Sequence, residues 1–283
     1  MRRVLVTGGA GTVGAALLTT ARPGVDVHAT QRTRPVAQVP SRPVPAHTVD
    51  LAEPGAFDAL LARVRPELVI HTAYDKTDGE RDIVAATAAV VGACRAHGVA
   101  LVHLSSDVVF DGEHAPYSED ARPSPVSDYG RWKAEAEGLA LRAPGAAVVR
   151  TSLVVRTAPL DPGSAGMVQQ LRAGRRPLFT DELRCPIRCD DFAAQLWEVV
   201  ALDPGRRAGV WHLVGPEALS RFALGLMIAR HAGLSEPVQT ARNAEADQRR
   251  PRDLRLTSAR ADRQLNTRAR PVSTLLADVA GGP

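Results

Sequence analysis

The chain opens with Arg2-Arg3-Val4-Leu5-Val6-Thr7, whose short apolar run Val4-Leu5-Val6 is followed by small residues and predicts a strand buried on both faces. Helix-compatible residues follow from Val13 to Thr20, Val25 to Thr30 predicts a second strand, and Thr48-Val49-Asp50 ends a third. Ala56 to Val64 reads as a helix before the strand Leu68 to Ala73. Arg81 to His97 carries Ala and Val at helical spacing, Val99 to Ser105 is again a strand, Tyr129 to Leu141 a helix, and Ala146 to Arg150 a strand. Strands alternating with helices imply βαβ units, and right-handed crossovers turn these into an α/β fold: a Rossmann-type doubly wound parallel sheet with helices on both faces. Beyond about residue 155 the alternation weakens, and Pro159, Pro162, Gly163, Gly166, Gly174 and Pro177 mark loops around short elements. The expected division is a Rossmann domain over 1–155 and a smaller, mainly substrate-binding region over 156–283. Within that region about 190–215, including the strand Gly209 to Val214, is expected to return to the sheet.

Ligands of such sheets bind at the C-terminal ends of the strands. Directly after the first strand, Thr7-Gly8-Gly9-Ala10-Gly11-Thr12-Val13-Gly14 spaces Gly8, Gly11 and Gly14 as G-x-x-G-x-x-G at the opening of a helix. Gly8 allows a tight turn, Gly11 lets backbone approach a pyrophosphate, and Gly14 lets the helix pack on the strand; Thr12 and Val13 lie at the helix start, where N–H groups favour phosphate. A dinucleotide cofactor follows. The second strand ends in Gln31-Arg32-Thr33-Arg34 without a carboxylate to hold a ribose 2′-hydroxyl, so NADP(H) is favoured over NAD(H), with Arg32 as the clamp and Arg34 second. Asp50, at the end of the third strand, and Leu51 are expected to meet the adenine, and Ala73, at the end of the fourth, to leave room for the cofactor.

Composition narrows the partners. Apolar residues make up 45% and charged residues 23% of 283 residues, ordinary for a globular chain. The net charge of +4 rests on Arg, since Lys76 and Lys133 are the only lysines, and no aromatic residues interleave with the cluster Arg249, Arg250, Arg252 and Arg255, so nucleic acid is not the expected partner. Cys94, Cys185 and Cys189 fit neither a disulfide framework nor a four-ligand zinc site, and no metal is expected. Met1 to Thr7 runs straight into strand pattern, with no apolar leader and no stretch of about 20 apolar residues elsewhere, so neither membrane nor secretion is expected and the cytoplasm is the expected compartment.

Tyr129 and Lys133 stand four apart on a predicted helix and therefore share a face. Three Tyr and two Lys in the whole chain make this spacing informative. A phenol has an unperturbed pKa of about 10, and a neighbouring ammonium favours the phenolate; Tyr129 could then pass a proton to a carbonyl oxygen while hydride arrives from a nicotinamide. The fifth strand ends in Ser105-Ser106-Asp107, and Ser106, with Ser105 as the alternative, is the expected hydroxyl that orients that oxygen.

These residues resemble the extended short-chain dehydrogenase/reductases, most closely the dTDP-4-dehydrorhamnose reductase-like branch, over nearly the whole chain. Ser105-Ser106-Asp107-Val108-Val109-Phe110-Asp111-Gly112 is similar to the branch's Ser-Thr-Asp-Tyr-Val-Phe-Asp-Gly. Pro116-Tyr117-Ser118-Glu119, Tyr129-Gly130-Arg131-Trp132-Lys133, Arg150-Thr151-Ser152 and Arg250-Pro251-Arg252-Asp253 continue the likeness. The resemblance implies a catalytic triad of Ser106, Tyr129 and Lys133 and a keto group on a 4-keto-6-deoxy sugar nucleotide as substrate, with Asp107, Val108, Leu153, Arg184 and Arg250 as substrate contacts and Arg252 a further phosphate candidate. A homodimer is among the expected assemblies. Val108, Leu153 and Trp132 depart from the branch's usual Tyr, Trp and Ser, and the loop from Tyr74 to Asp78 is shorter than its counterpart. The alternatives are a sugar-nucleotide epimerase, a ketoreductase acting on a metabolite without a nucleotide, and a non-catalytic cofactor-binding regulatory subunit. A dehydratase is disfavoured, because Asp107 is followed by Val108 rather than an acid.

Overall fold

A computed structural model describes residues 2–175, 177–234, 238–246 and 249–277; Met1, at the head of the expected first strand, and the last residues of the expected 156–283 region lie outside them. In chain order the elements of the first half are β1 (Arg2–Thr7), α1 (Thr12–Thr19), β2 (Val25–Gln31), β3 (Ala46–Thr48), α2 (Ala56–Val64), β4 (Leu68–His71), α3 (Ala86–His97), β5 (Ala100–Ser106), α4 (Asp128–Ala140) and β6 (Ala147–Thr151). The second half contains β7 (Val154–Val155), α5 (Pro162–Arg172), β8 (Leu178–Phe179), β9 (Leu183–Arg184), β10 (Ile187–Arg188), α6 (Cys189–Ala201), α7 (Pro204–Arg207), β11 (Gly209–Leu213), β12 (Leu219–Ser220), α8 (Arg221–His231), β13 (Thr240–Ala241), α9 (Ala259–Gln264) and α10 (Val272–Ala277). One stretch differs in kind from its sequence pattern: the helix expected from Arg81 begins as a π-helical turn, Glu80–Ala85, before α3.

Seven strands form one sheet in the order β11-β6-β5-β4-β1-β2-β3, every pairing parallel. The order reverses between β1 and β4, which opens the crevice in which such sheets bind ligands. β1 reads as an unbroken apolar run because helices cover both faces, leaving Val4, Leu5 and Val6 fully buried. On one face Val4, Val6, Leu17, Leu18, Trp197 and Trp211 form a core under α1 and α6; on the other Leu5, Phe57, Leu61, Val69 and Val90 form a second core under α2 and α3. The C-terminal lobe has its own core of Met167, Val168, Leu178, Leu224, Ile228 and Val272, from α5, β8, α8 and α10. A fourth cluster, Val109, Phe110, Tyr117, Cys185, Val214, Leu254 and Leu256, joins that lobe to the end of β5. Close approach requires glycine there: a Cβ on Gly112 would lie 2.5 Å from the Arg252 amide nitrogen.

Candidate active site

The turn after β1 is built around glycines. Gly8 has φ +70°, and its Cα approaches Ala73 so closely that a Cβ would lie 2.8 Å from the Ala73 Cα. A Cβ on Gly14 would lie 2.3 Å from the Gly8 carbonyl oxygen, so only glycine lets α1 start against the turn. The Gly9 amide donates to the Thr30 carbonyl at 2.9 Å and the Gly11 amide to that of Gly8 at 2.9 Å, holding the loop between β1 and β2. Gly11 caps α1 without any side-chain hydrogen bond, so no side chain of the cap competes for the N–H groups of the first turn, among them Thr12 and Val13. This cradle fits a pyrophosphate. Leu51 turns into the core beside Phe57 and Leu60, which leaves backbone alone to meet an adenine there.

At the tip of β2 the arginine is engaged. Arg32 Nη1 donates to Asp82 Oδ1 at 2.7 Å and Nη2 to Asp75 Oδ2 at 3.2 Å, while Asp50 stands 4.0 Å away. Asp50, the expected adenine contact, receives Arg81 Nη2 at 2.7 Å and the Ala52 amide at 3.1 Å. Arg34 is exposed, with no ion pair or hydrogen bond among the described residues.

The catalytic helix is held from below. Glu137, one turn past Lys133, takes a bidentate contact from Arg150 of β6, with Arg150 Nη2 at 2.9 Å, and both side chains are buried. Ser127 caps α4 by accepting from the Gly130 amide at 3.1 Å. Gly130 meets the turn after β5, where a Cβ would lie 2.4 Å from the Val108 carbonyl oxygen. Tyr129 and Lys133 thereby face the end of β5. Lys133 is buried and donates to the Leu104 carbonyl at 2.6 Å; burial lowers its pKa to about 8, with the Glu137 charge acting in the opposite direction.

Here the structure corrects one expectation. Tyr129 is pushed well above the ordinary phenol value, first by burial and then by the charges of Tyr74 and Asp107. Lys133 directs its ammonium to a backbone carbonyl, and a half-exposed second tyrosine lies near both groups: the Tyr74 ring is 6.0 Å from that of Tyr129, centroid to centroid, and 5.7 Å from Lys133 Nζ. Lys76 Nζ sits 4.2 Å over the Tyr129 ring, a cation on its π face. Tyr74 and Lys76 are missed by the Tyr-x-x-x-Lys spacing because they arrive from the loop after β4. That loop is pinned to α4 by Trp132, whose ring occupies the space a Cβ on Gly79 would need.

Ser106 Oγ donates to Asp107 Oδ1 at 3.2 Å, and Ser152 Oγ to Asp107 Oδ2 at 2.6 Å. Asp107 is buried, which raises its pKa, and Arg184 Nε stands 3.9 Å from Oδ2. Arg184 also donates to the Leu183 and Pro251 carbonyls. Ser105 is buried, with a hydroxyl that has no hydrogen-bond partner among the described residues. Arg250 belongs to the lobe, bonded to buried Glu182 and lying 4.9 Å over the Phe179 ring. Val108 packs against the junction cluster and Leu153 against the lobe core. No group of His, Cys, Asp and Glu among the described residues could hold a metal, and the three cysteines are free and buried.

A parallel doubly wound sheet with a glycine turn after β1 and a tyrosine and lysine facing the tip of β5 defines a nicotinamide-dependent oxidoreductase of the extended short-chain dehydrogenase/reductase class. Residues 1–280 match the family described as RmlD substrate binding domain, and the chain belongs to that family. It is 30% identical over 231 residues to a dTDP-4-dehydrorhamnose reductase of Sinorhizobium fredii, covering 75% of this chain and 72% of the relative. It is 29% identical over 249 residues to the methionine adenosyltransferase 2 subunit beta of Rattus norvegicus, covering 81% and 71%. Among solved structures it superimposes on the Bacillus anthracis dTDP-4-dehydrorhamnose reductase in complex with NADP at a TM-score of 0.80, 18% identity and 99% coverage of both chains. The Bordetella bronchiseptica enzyme WbmG in complex with NAD gives a TM-score of 0.80, 20% identity and coverage of 98% and 93%.

Proposed function

We propose that this chain reduces a keto group on a nucleotide-linked sugar, most closely a 4-keto-6-deoxy sugar nucleotide, using NADP(H). The observation that supports this reading most is that Tyr129 and Lys133 both lie against Tyr74, next in sequence to Ala73, which packs on Gly8, while Lys133 bonds the Leu104 carbonyl of the strand that ends at Ser106. Gly8, Gly11, Gly14 and the start of α1 would hold the pyrophosphate, and Arg32 and Arg34 supply the cations for a 2′-phosphate. A bound nicotinamide supplies the hydride. Ser106 orients the carbonyl and Tyr129, protonated at neutral pH, gives its proton to the developing alkoxide. Lys76, with Nζ 4.2 Å over the Tyr129 ring, then stands near the phenolate left behind, where opposite charge in a low-dielectric site has its largest effect. Asp107, Val108, Leu153 and Arg184 line the substrate side, with 1–155 and about 190–215 holding cofactor and the remainder of 156–283 closing over the sugar.

The test is a panel of keto-sugar nucleotides and simple ketones offered with NADPH. Stoichiometric oxidation of NADPH with one sugar nucleotide is the expected result; interconversion of epimers without net oxidation would make the chain an epimerase, and turnover of simple ketones alone would remove the nucleotide from the substrate. A second reading, a cofactor-binding subunit of another enzyme, is favoured by the likeness to the methionine adenosyltransferase subunit; nicotinamide binding without turnover on any substrate would select it.

A further inference from the structure

The carboxylate missing from the end of β2 is delivered from elsewhere. Asp82, in the π-helical turn Glu80–Ala85, places Oδ1 2.7 Å from Arg32 Nη1 and 2.6 Å from Arg81 Nη1, and its side chain is only 11% exposed between the two guanidiniums. Around it, Arg32 and Arg81 face four carboxylates, those of Asp50, Glu53, Asp75 and Asp82. The tip of β2 is therefore formally negative, in spite of the sequence Gln31-Arg32-Thr33-Arg34.

We propose that Asp82 is the residue that sets cofactor choice, by competing with a 2′-phosphate for Arg32. A phosphomonoester carries roughly −1.5 to −2 charges at neutral pH, so it reaches Arg32 only by displacing a carboxylate in a cluster already short of cations. A ribose 2′-hydroxyl needs no such exchange and can donate to the same carboxylate. The advantage that Arg32 and Arg34 give to NADPH is narrowed, and NADH becomes an accepted cofactor. This rests on the dinucleotide reading of the glycine turn.

Direct titration with each dinucleotide tests it, following nicotinamide fluorescence so that no substrate is needed. In Asp82→Asn, which keeps the side chain's shape, the preference for NADPH over NADH is expected to rise about tenfold. Asp75→Asn, at the longer contact of 3.2 Å, moves the ratio the same way by a smaller factor. A ratio that stays fixed or shifts toward NADH in these variants overturns the proposal, because the carboxylates would then orient Arg32 rather than compete for it. Failure of the parent protein to bind either dinucleotide would instead overturn the reading of the glycine turn, and this inference with it.

Discussion

At the tip of β2, Arg32 meets Asp82 at 2.7 Å with the guanidinium 38% exposed; beneath the catalytic helix, Arg150 meets Glu137 at 2.9 Å with side chains 3% and 2% exposed. The two ion pairs are alike in chemistry and differ in solvent. Near water an ion pair is screened and its partners can be exchanged for a ligand, which suits a place that selects cofactors. In the interior water cannot replace a lost partner, and the pair fixes the register of α4 on β6 and so the height of Tyr129 and Lys133 above the strand tips.

That contrast can be broken by removing one carboxylate at a time. Glu137→Gln leaves Arg150 charged and buried, and should lower unfolding stability by about 3–5 kcal/mol in urea denaturation. Asp82→Asn should change it by no more than about 1 kcal/mol; equal losses would show that burial does not separate the pairs. Gly14→Ala should cost about 1–3 kcal/mol, because its Cβ would lie 2.3 Å from the Gly8 carbonyl oxygen, and should weaken nicotinamide binding in the same titration. Unaltered binding would remove the turn from the cofactor site.

The smallest effect is a pH dependence. Burial holds Lys133 at about 8, so kcat/KM for reduction should fall as pH rises through about 8 and the ammonium is lost. The stability effect has the opposite sign: the unfolded chain holds that proton up to about 10.4, so folding stability attributable to Lys133 rises between about 8 and that value. A reduction rate flat across this range would detach Lys133 from the chemistry.

Much of this was legible in the chain itself. The parallel sheet follows from apolar runs alternating with helical spacing, and Gly8 and Gly14 have the tight turn and the close packing that their spacing implied. What escaped were contacts between distant segments. Nothing local in the loop says that the Tyr74 and Lys76 side chains meet α4, nor that Trp132 would pack on Gly79, since both depend on how the loop after β4 folds back. Arg32 reads as an available cation because Asp82 lies 50 positions away, and nothing beside Arg250 shows its partner Glu182, 68 positions away. Burial also could not be read from spacing: the four-residue interval put Tyr129 and Lys133 on one face, but desolvation raises the phenol and lowers the ammonium.

The central claim is that Tyr129 donates the proton in a reaction whose cofactor is held elsewhere, at the glycine turn. Turnover and nicotinamide binding measured together in Tyr129→Phe test it most directly. Turnover is expected to fall by about 10²–10⁴-fold with the dinucleotide still bound; turnover equal to that of the parent would contradict the account.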